Sequence, residues 1–131
     1  MSALYLDSSA FVKLAVEEPE TAALHSFLAE QDGRRVSSAL LRAEALRAVR
    51  HLDGDVLATV RDGLRRVDLI ALDDRILDAA GTLEPRVLRT LDAIHLATAM
   101  AIGDDLETVV TYDERMADGA RSLGIPSASP R

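Results

Sequence analysis

The fold is indicated by one stretch near the start of the chain, Ala3-Leu4-Tyr5-Leu6-Asp7-Ser8-Ser9. A short apolar run followed by Asp-Ser-Ser predicts a buried strand that ends where a helix begins. Further short strands between helical stretches are predicted at residues 35–38, 67–72 and 107–111, with a shorter fifth strand at 125–126. Strands that alternate with helices pair in parallel and carry helices on both faces of the sheet. We therefore predict an α/β fold around a parallel sheet of four to five strands.

Length and composition restrict the class of protein. The 131 residues suit one domain, which we expect to span residues 1–131 with a disordered tail at 127–131. The absence of cysteine excludes disulfide scaffolds, zinc ribbons, thiol nucleophiles and iron–sulfur clusters, so the expected compartment is the cytoplasm. No basic residue precedes Asp7, and the most apolar stretch, residues 93–102, is far shorter than the ~20 residues that span a bilayer. We therefore expect no membrane anchor.

The charge balance bears on the partner. The formal net charge is −7, from 22 acidic and 15 basic side chains, and an acidic excess argues against nucleic acid. A total does not locate the charges, however. All the basic residues are Arg except Lys13. Each Arg taken singly is interpreted as a solvated surface charge, whereas a group of them near a site would hold phosphates bidentately.

Two aspartates follow predicted strands. Asp7 comes after the first strand and Asp113 after the fourth. Ligands of open parallel sheets bind outside the carboxyl ends of the strands, where the strand order reverses, so both residues are candidates for one site. Each is also well placed to cap the helix that follows, and for either residue alone the cap is the better interpretation.

Two further acids lie on predicted helices. Glu44 is at the edge of the apolar stripe of a helix at residues 39–52, where it either pairs with a neighbouring Arg or turns toward a cation. Asp92 is in the first turn of an apolar helix at residues 90–102, where the helix dipole favours an acid. His95, one turn later, is interpreted as a hydrogen-bonded packing residue and not as a ligand.

These four acids point to a metal if they converge. Each pair of like charges at ~4 Å would repel by about 4 kcal/mol at an effective dielectric constant near 20. A marginally stable domain does not keep such a cluster uncompensated. Without Cys or clustered His, the favoured compensation is a hard divalent cation, Mg²⁺ or Mn²⁺.

Four motifs together resemble those of a known family. They are Tyr5-Leu6-Asp7-Ser8-Ser9-Ala10, Ser37-Ser38-Ala39-Leu40-Leu41-Arg42-Ala43-Glu44, Leu91-Asp92-Ala93-Ile94-His95-Leu96-Ala97 and Val110-Thr111-Tyr112-Asp113. With these motifs in this order, the chain from Tyr5 to Pro126 resembles PIN-domain ribonucleases, and most closely the VapC-like toxins of VapBC toxin–antitoxin pairs. The resemblance implies a three-layer α/β/α sandwich and Mg²⁺-dependent hydrolysis of RNA phosphodiester bonds, with Mn²⁺ as an alternative metal.

The resemblance also assigns residues by position. Both catalysis and metal binding fall to an acidic quartet, Asp7, Glu44, Asp92 and Asp113. Ser9 and Thr111 match small hydroxyl residues that support the quartet. The three aspartates are the expected direct or water-mediated ligands, while Glu44 completes the cage or positions the attacking water.

The partner is likewise implied by the resemblance. VapC-like proteins pair with a small antitoxin whose tail covers the active site. The expected assembly is a homodimer, or a hetero-oligomer of toxin and antitoxin. Two stretches rich in Leu and Ala, residues 11–16 and 22–28, are candidates for the antitoxin groove, although they are equally compatible with a core-facing role.

Two other functions stay open at this point. A structure-specific DNA nuclease would use the same acids, because nothing in the sequence recognises a 2′-hydroxyl. A non-catalytic interaction module would use them as helix caps and surface pairs. A phosphoacceptor receiver domain is excluded, because it needs a Lys after a late strand and the single Lys here is Lys13.

Overall fold

The computed structural model describes all 131 residues and contains one five-stranded parallel sheet. Its strands are β1 (Ala3–Leu6), β2 (Arg34–Ser38), β3 (Asp68–Ile70), β4 (Leu106–Val110) and β5 (Ser127–Ala128). Their order is β3-β2-β1-β4-β5. The chain moves from β1 to one edge of the sheet and then returns to β4 on the other side. The order therefore reverses between β1 and β4, and a crevice is expected at their carboxyl ends.

Seven helices cover the two faces of the sheet. They are α1 (Ser8–Ala15), α2 (Thr21–Ala29), α3 (Leu40–Val49), α4 (Gly54–Leu64), α5 (Asp74–Gly81), α6 (Thr90–Ile102) and α7 (Glu114–Ser122). Successive side chains of β1 point to opposite faces. Leu4 and Leu6 pack with Leu24 of α2, whereas Tyr5 packs with Ala99 of α6. The predicted three-layer α/β/α architecture with four to five parallel strands is confirmed.

Four helices begin directly after an aspartate that acts as N-cap. The side chains of Asp7, Asp53, Asp73 and Asp113 each accept a hydrogen bond from the backbone N–H three residues later. This bond satisfies one of the donors that the first turn of a helix leaves free. The cap at Asp7 explains why α1 begins at Ser8, directly after β1.

The C-terminal segment differs from the expectation of a disordered tail at 127–131. Ser127 and Ala128 form β5, and the Thr111 N–H donates to the Ala128 carbonyl at 3.0 Å. The Tyr112 hydroxyl donates to the Pro130 carbonyl at 2.7 Å. The open edge of β4 supplies these partners, which a polar sequence such as Ser-Ala-Ser-Pro-Arg does not reveal locally. The fifth strand, predicted at 125–126, lies two residues later.

The seven helices differ from membrane-spanning helices in length and in composition. None combines the length and the apolar character that crossing a membrane requires.

Candidate active site

Asp7 lies at the carboxyl end of β1, where the strand order reverses. Its side chain is 3% exposed. Oδ1 accepts hydrogen bonds from the Ala10 N–H at 3.0 Å and the Ser9 hydroxyl at 2.6 Å, and Oδ2 accepts from the Thr111 hydroxyl at 2.5 Å. The cap interpretation is confirmed for Asp7, and because the cap uses only Oδ1 it is compatible with the predicted site role.

Burial dominates the electrostatics of Asp7. It raises the pKa of the carboxyl above its ordinary value, while the hydrogen bonds from Ser9, Thr111 and Ala10 and the nearby His95 act in the opposite direction. The carboxylate is thus held in place by donors but lacks a full countercharge. A cation at this position would supply it.

Ser9 and Thr111 join the ends of β1 and β4. The Ser9 hydroxyl donates to Asp7 and accepts from the Tyr112 N–H at 2.8 Å. The Thr111 hydroxyl donates to Asp7 and accepts from the Asp113 N–H at 3.0 Å. Each hydroxyl therefore uses its donor on Asp7 and its acceptor on the backbone after β4, an arrangement that suits the supporting role expected from the sequence.

Asp113 and Asp92 complete the acidic edge. Asp113 caps α7, since its Oδ1 accepts from the Met116 N–H at 3.1 Å. Asp92 is half-buried in the first turn of α6. Burial raises the pKa of the Asp92 carboxyl, and the charges of Asp113 and Asp7 raise it further, against His95 and Arg89. Asp92 therefore lies within electrostatic reach of both other aspartates.

Glu44 approaches this group from α3. Its partner in the protein is a histidine and not the neighbouring Arg that the sequence offered: Oε1 lies 2.5 Å from His95 Nε2. The side chain of Glu44 remains 18% exposed. It also lines an open pocket of about 390 Å³ together with Ser8, Ser9 and Tyr112.

His95 and Tyr5 are site residues that the sequence did not assign to the site. His95 is 2% exposed and hydrogen-bonded, as the packing interpretation predicted, but its partners are Glu44 and the Tyr5 hydroxyl, 2.6 Å from Nδ1. The available signals were a lone His three residues after Asp92 in an apolar helix and a Tyr two residues before Asp7.

Lys13 does not serve the acidic edge, although it lines the same pocket. Its ammonium group lies 2.5 Å from Glu18 and 3.2 Å from Glu20, which together neutralise it. No Lys or Arg lies within ion-pair distance of any of the three aspartates. Their negative charge is therefore not balanced by an ion pair, and only the more distant charges of His95 and Arg89 offset part of it.

The donor set fits a hard divalent cation. All candidate ligand atoms are carboxylate oxygens, which Mg²⁺ and Mn²⁺ prefer, and no ion pair balances the aspartates. No three acidic or histidine side chains stand close enough together to form a preassembled ligand cluster. The fit consequently rests on the chemistry and the placement of the donors.

Comparison with known proteins gives a consistent result. The chain matches the PIN domain family over residues 4–122. Ribonuclease VapC46 of Mycobacterium tuberculosis is 52% identical over 130 residues, covering 99% of each chain. Ribonuclease VapC47 of the same species is 39% identical over 131 residues, covering 97% of this chain and 96% of that protein.

Two solved structures are similar in fold. One is M. tuberculosis VapC20, described as a toxin that cleaves the sarcin–ricin loop, with a TM-score of 0.75 and 14% identity over 97% of this chain and 99% of that chain. The other is a chain of a toxin–antitoxin complex from Klebsiella pneumoniae, with a TM-score of 0.75 and 21% identity over 99% of this chain and 98% of that chain. At these identities the likeness concerns the fold.

Proposed function

Because the chain belongs to the PIN-domain family, in its VapC-like branch, we propose that it is a Mg²⁺- or Mn²⁺-dependent endoribonuclease and the toxin of a toxin–antitoxin pair. One observation carries the proposal: near the point where the strand order reverses, the charges of Asp7 and Asp113 both act on Asp92, and none of the three forms an ion pair with a Lys or Arg. An arrangement of this kind is suited to a divalent cation and a polyanionic substrate.

The proposed division of work follows from the contacts of each residue. Asp7, Asp92 and Asp113 hold the metal, and the Ser9 and Thr111 hydroxyls keep the Asp7 carboxylate oriented through bonds of 2.6 and 2.5 Å. When bound, the metal supplies a water of lowered pKa and stabilises charge on the leaving oxygen. Glu44, exposed to the adjoining pocket, orients the attacking water or completes the metal cage.

RNA is the proposed substrate, and we expect the protein to meet it in the cytoplasm. Arg42 on α3 and Arg86 and Arg89 before α6 are exposed and make no ion pair, so they are available to bind phosphates near the acidic edge. Arginine binds phosphate oxygens bidentately, and such binding weakens as salt is added. With few accessible aromatic rings, the backbone and shape of the RNA are the expected recognition features.

An antitoxin is the proposed protein partner. The predicted groove stretches 11–16 and 22–28 contribute Phe11, Leu24 and Leu28 to the core, so only part of them remains available. That part lines a cleft of about 140 Å³ between α1, α2 and α4, where apolar Leu14 lies near Arg35. We propose this cleft for the antitoxin, and a homodimer or a toxin–antitoxin hetero-oligomer as the assembled form.

The test is cleavage of matched RNA and DNA hairpins by the purified protein with Mg²⁺, Mn²⁺ or EDTA. We expect metal-dependent internal cleavage of RNA that Asp92→Asn abolishes. Cleavage of DNA alone would contradict the RNA assignment and support the DNA nuclease. Equal cleavage by wild type and Asp92→Asn would contradict the proposed role of Asp92 in the reaction. If wild type cleaves neither polymer and Asp7→Ala and Asp92→Ala cost only about 1 kcal/mol of stability each, the interaction module is the better account.

A further inference from the structure

A buried histidine connects the sheet to the only glutamate of the site. His95 is 2% exposed within the apolar helix α6, and both of its ring nitrogens have a partner. Nδ1 lies 2.6 Å from the Tyr5 hydroxyl on β1, and Nε2 lies 2.5 Å from Glu44 Oε1 on α3. One ring thus links three separate elements, across sequence separations of 90 and 51 residues.

The partners determine where the ring carries its hydrogen. A carboxylate accepts hydrogen bonds only, so Nε2 donates to Glu44. Burial raises the pKa of the Tyr5 phenol well above its ordinary value, so the Tyr5 hydroxyl keeps its hydrogen and can serve Nδ1 as donor or as acceptor. The Tyr5 and His95 rings also meet edge to face, with centroids 5.7 Å apart and planes at 79°. These contacts place a hydrogen on Nε2 and fix the orientation of the imidazole.

Glu44 depends on this ring for its position. The bond to His95 is the single hydrogen bond of its carboxylate, which otherwise borders an open pocket. A glutamate side chain in such a place has several accessible rotamers, and holding one of them has an entropic cost. His95 is rigid because it is buried, so its Nε2–H can select one position of the carboxylate.

We propose that His95 is a positioning residue for Glu44, and that Tyr5 fixes the ring that does so. The inference rests on the proposed function, in which Glu44 orients the attacking water or completes the metal cage. The relay, defined as Tyr5–His95–Glu44, places a flexible acid of α3 beside the aspartates at the ends of β1 and β4. His95 does not itself touch substrate or metal in this account.

Two amide substitutions separate the two ring nitrogens. In His95→Gln the side-chain NH₂ reaches the place of Nε2 and keeps a donor for Glu44, whereas the shorter His95→Asn reaches only the place of Nδ1. Residues that orient a ligand or a catalytic group are worth about 10–100-fold in activity. We expect His95→Asn to lower kcat for RNA cleavage by that factor with KM within about threefold, and His95→Gln to stay within about fivefold of wild type. Equal losses in both variants would overturn the proposal.

A double-substitution cycle tests whether His95 acts through Glu44. If it does, His95→Asn added to Glu44→Gln should lower kcat by less than about threefold, because the residue being positioned is already compromised. The same 10–100-fold loss in both backgrounds would show that His95 acts elsewhere. Val109→Ala is the matched control for stability, since Val109 packs in the same cluster as Tyr5. It should lower Tm and leave kcat within about threefold of wild type.

A measurement on the metal-free protein does not depend on activity. Long-range ¹H–¹⁵N spectra should show a hydrogen on His95 Nε2 in slow exchange with water, which Glu44→Ala turns to fast exchange. A ring that exchanges rapidly between its two tautomers in wild type would overturn the relay. If wild type cleaves no RNA but the Nε2 hydrogen is protected by Glu44, the proposed function fails while the contact itself stands.

Discussion

An aspartate N-cap follows β1, β4 and β3 alike, but its surroundings differ between the centre and the edge of the sheet. Asp7, Asp113 and Asp73 each follow a strand and cap the next helix through a hydrogen bond of 2.9–3.1 Å. Asp73 stands at the outer edge of the sheet and is exposed. Asp7 is buried at the centre, receives two hydroxyl hydrogen bonds as well, and shares its surroundings with Asp113 and Asp92.

The difference shows what a capping aspartate needs in addition to become part of the candidate active site. A cap needs one oxygen and one backbone N–H, and any strand end next to a helix can supply them. A site also needs a reversal of strand order, so that two caps lie on adjacent strands, and a helix that brings a third acid within reach of their charges. The end of β3 has neither, so Asp73 is the matched control for substitutions of the site aspartates.

The largest expected difference is in RNA cleavage. Asparagine caps helices as well as aspartate, so Asp7→Asn and Asp73→Asn both preserve the cap while removing a charge. We expect Asp7→Asn to lower cleavage by more than ~100-fold, beyond the 10–100-fold typical of residues that only orient a ligand. Asp73→Asn should remain within about twofold of wild type by the same reasoning. Comparable losses in the two variants, measured as kcat/KM on one RNA, would break the comparison.

The hydroxyl hydrogen bonds at the central strands are expected to have the next largest effect. Thr111→Val keeps the shape of the side chain but removes the donor to Asp7 Oδ2. We expect a 10–100-fold loss of activity and a loss of about 1–3 kcal/mol in the free energy of unfolding, because a buried carboxylate oxygen loses its donor. Thr21→Val is the matched control, since Thr21 is a buried threonine that donates to the Lys13 carbonyl outside the site. It should change stability alone, as measured by urea unfolding beside the activity assay.

Metal binding should distinguish the two strand ends through stability. A ligand at 100 times its Kd stabilises the folded state by about 2.7 kcal/mol, which corresponds to a rise in Tm of roughly 5 °C or more for a domain of this size. We expect MgCl₂ or MnCl₂ to produce such a rise in wild type and in Asp73→Asn, but not in Asp92→Asn. NaCl of equal ionic strength controls for screening. An equal rise in Asp92→Asn would place the bound cation away from the acidic edge.

The smallest expected effect is the pH dependence of the metal-free protein. Burial and the charges of Asp113 and Asp7 raise the pKa of folded Asp92 above its ordinary value of 3.8. The stability that this shift contributes is fully present below the ordinary pKa and is lost as pH rises through the folded pKa. Asp92→Asn should therefore gain on wild type as pH rises from about 4 to about 7, by only ~1–2 °C in Tm because Asp92 is half-exposed. If the Tm of Asp92→Asn instead fell relative to the Tm of wild type as pH rose, the predicted sign would be wrong.

The sequence indicates the acids well and their surroundings poorly. Asp7 and Asp113 follow from strand ends, and Asp92 from a helix start, because each is marked by its immediate neighbours. The bond between His95 and Glu44 spans 51 residues, and the bond between Tyr5 and His95 spans 90. No local sequence pattern encodes a contact at such a sequence separation, so the sequence alone indicates only a packing role for His95. The sequence also fails to predict that residues 127–131 are ordered, because their structure depends on pairing with the distant strand β4.

A crystal of the protein soaked in Mn²⁺ tests the central claim most directly, through the anomalous signal of the ion. We expect a peak at the carboxyl ends of β1 and β4, within about 2.5 Å of oxygens of at least two of Asp7, Asp92 and Asp113, and no peak at Asp73. A peak elsewhere, or no peak in a protein that cleaves RNA only with Mn²⁺ or Mg²⁺, would contradict it.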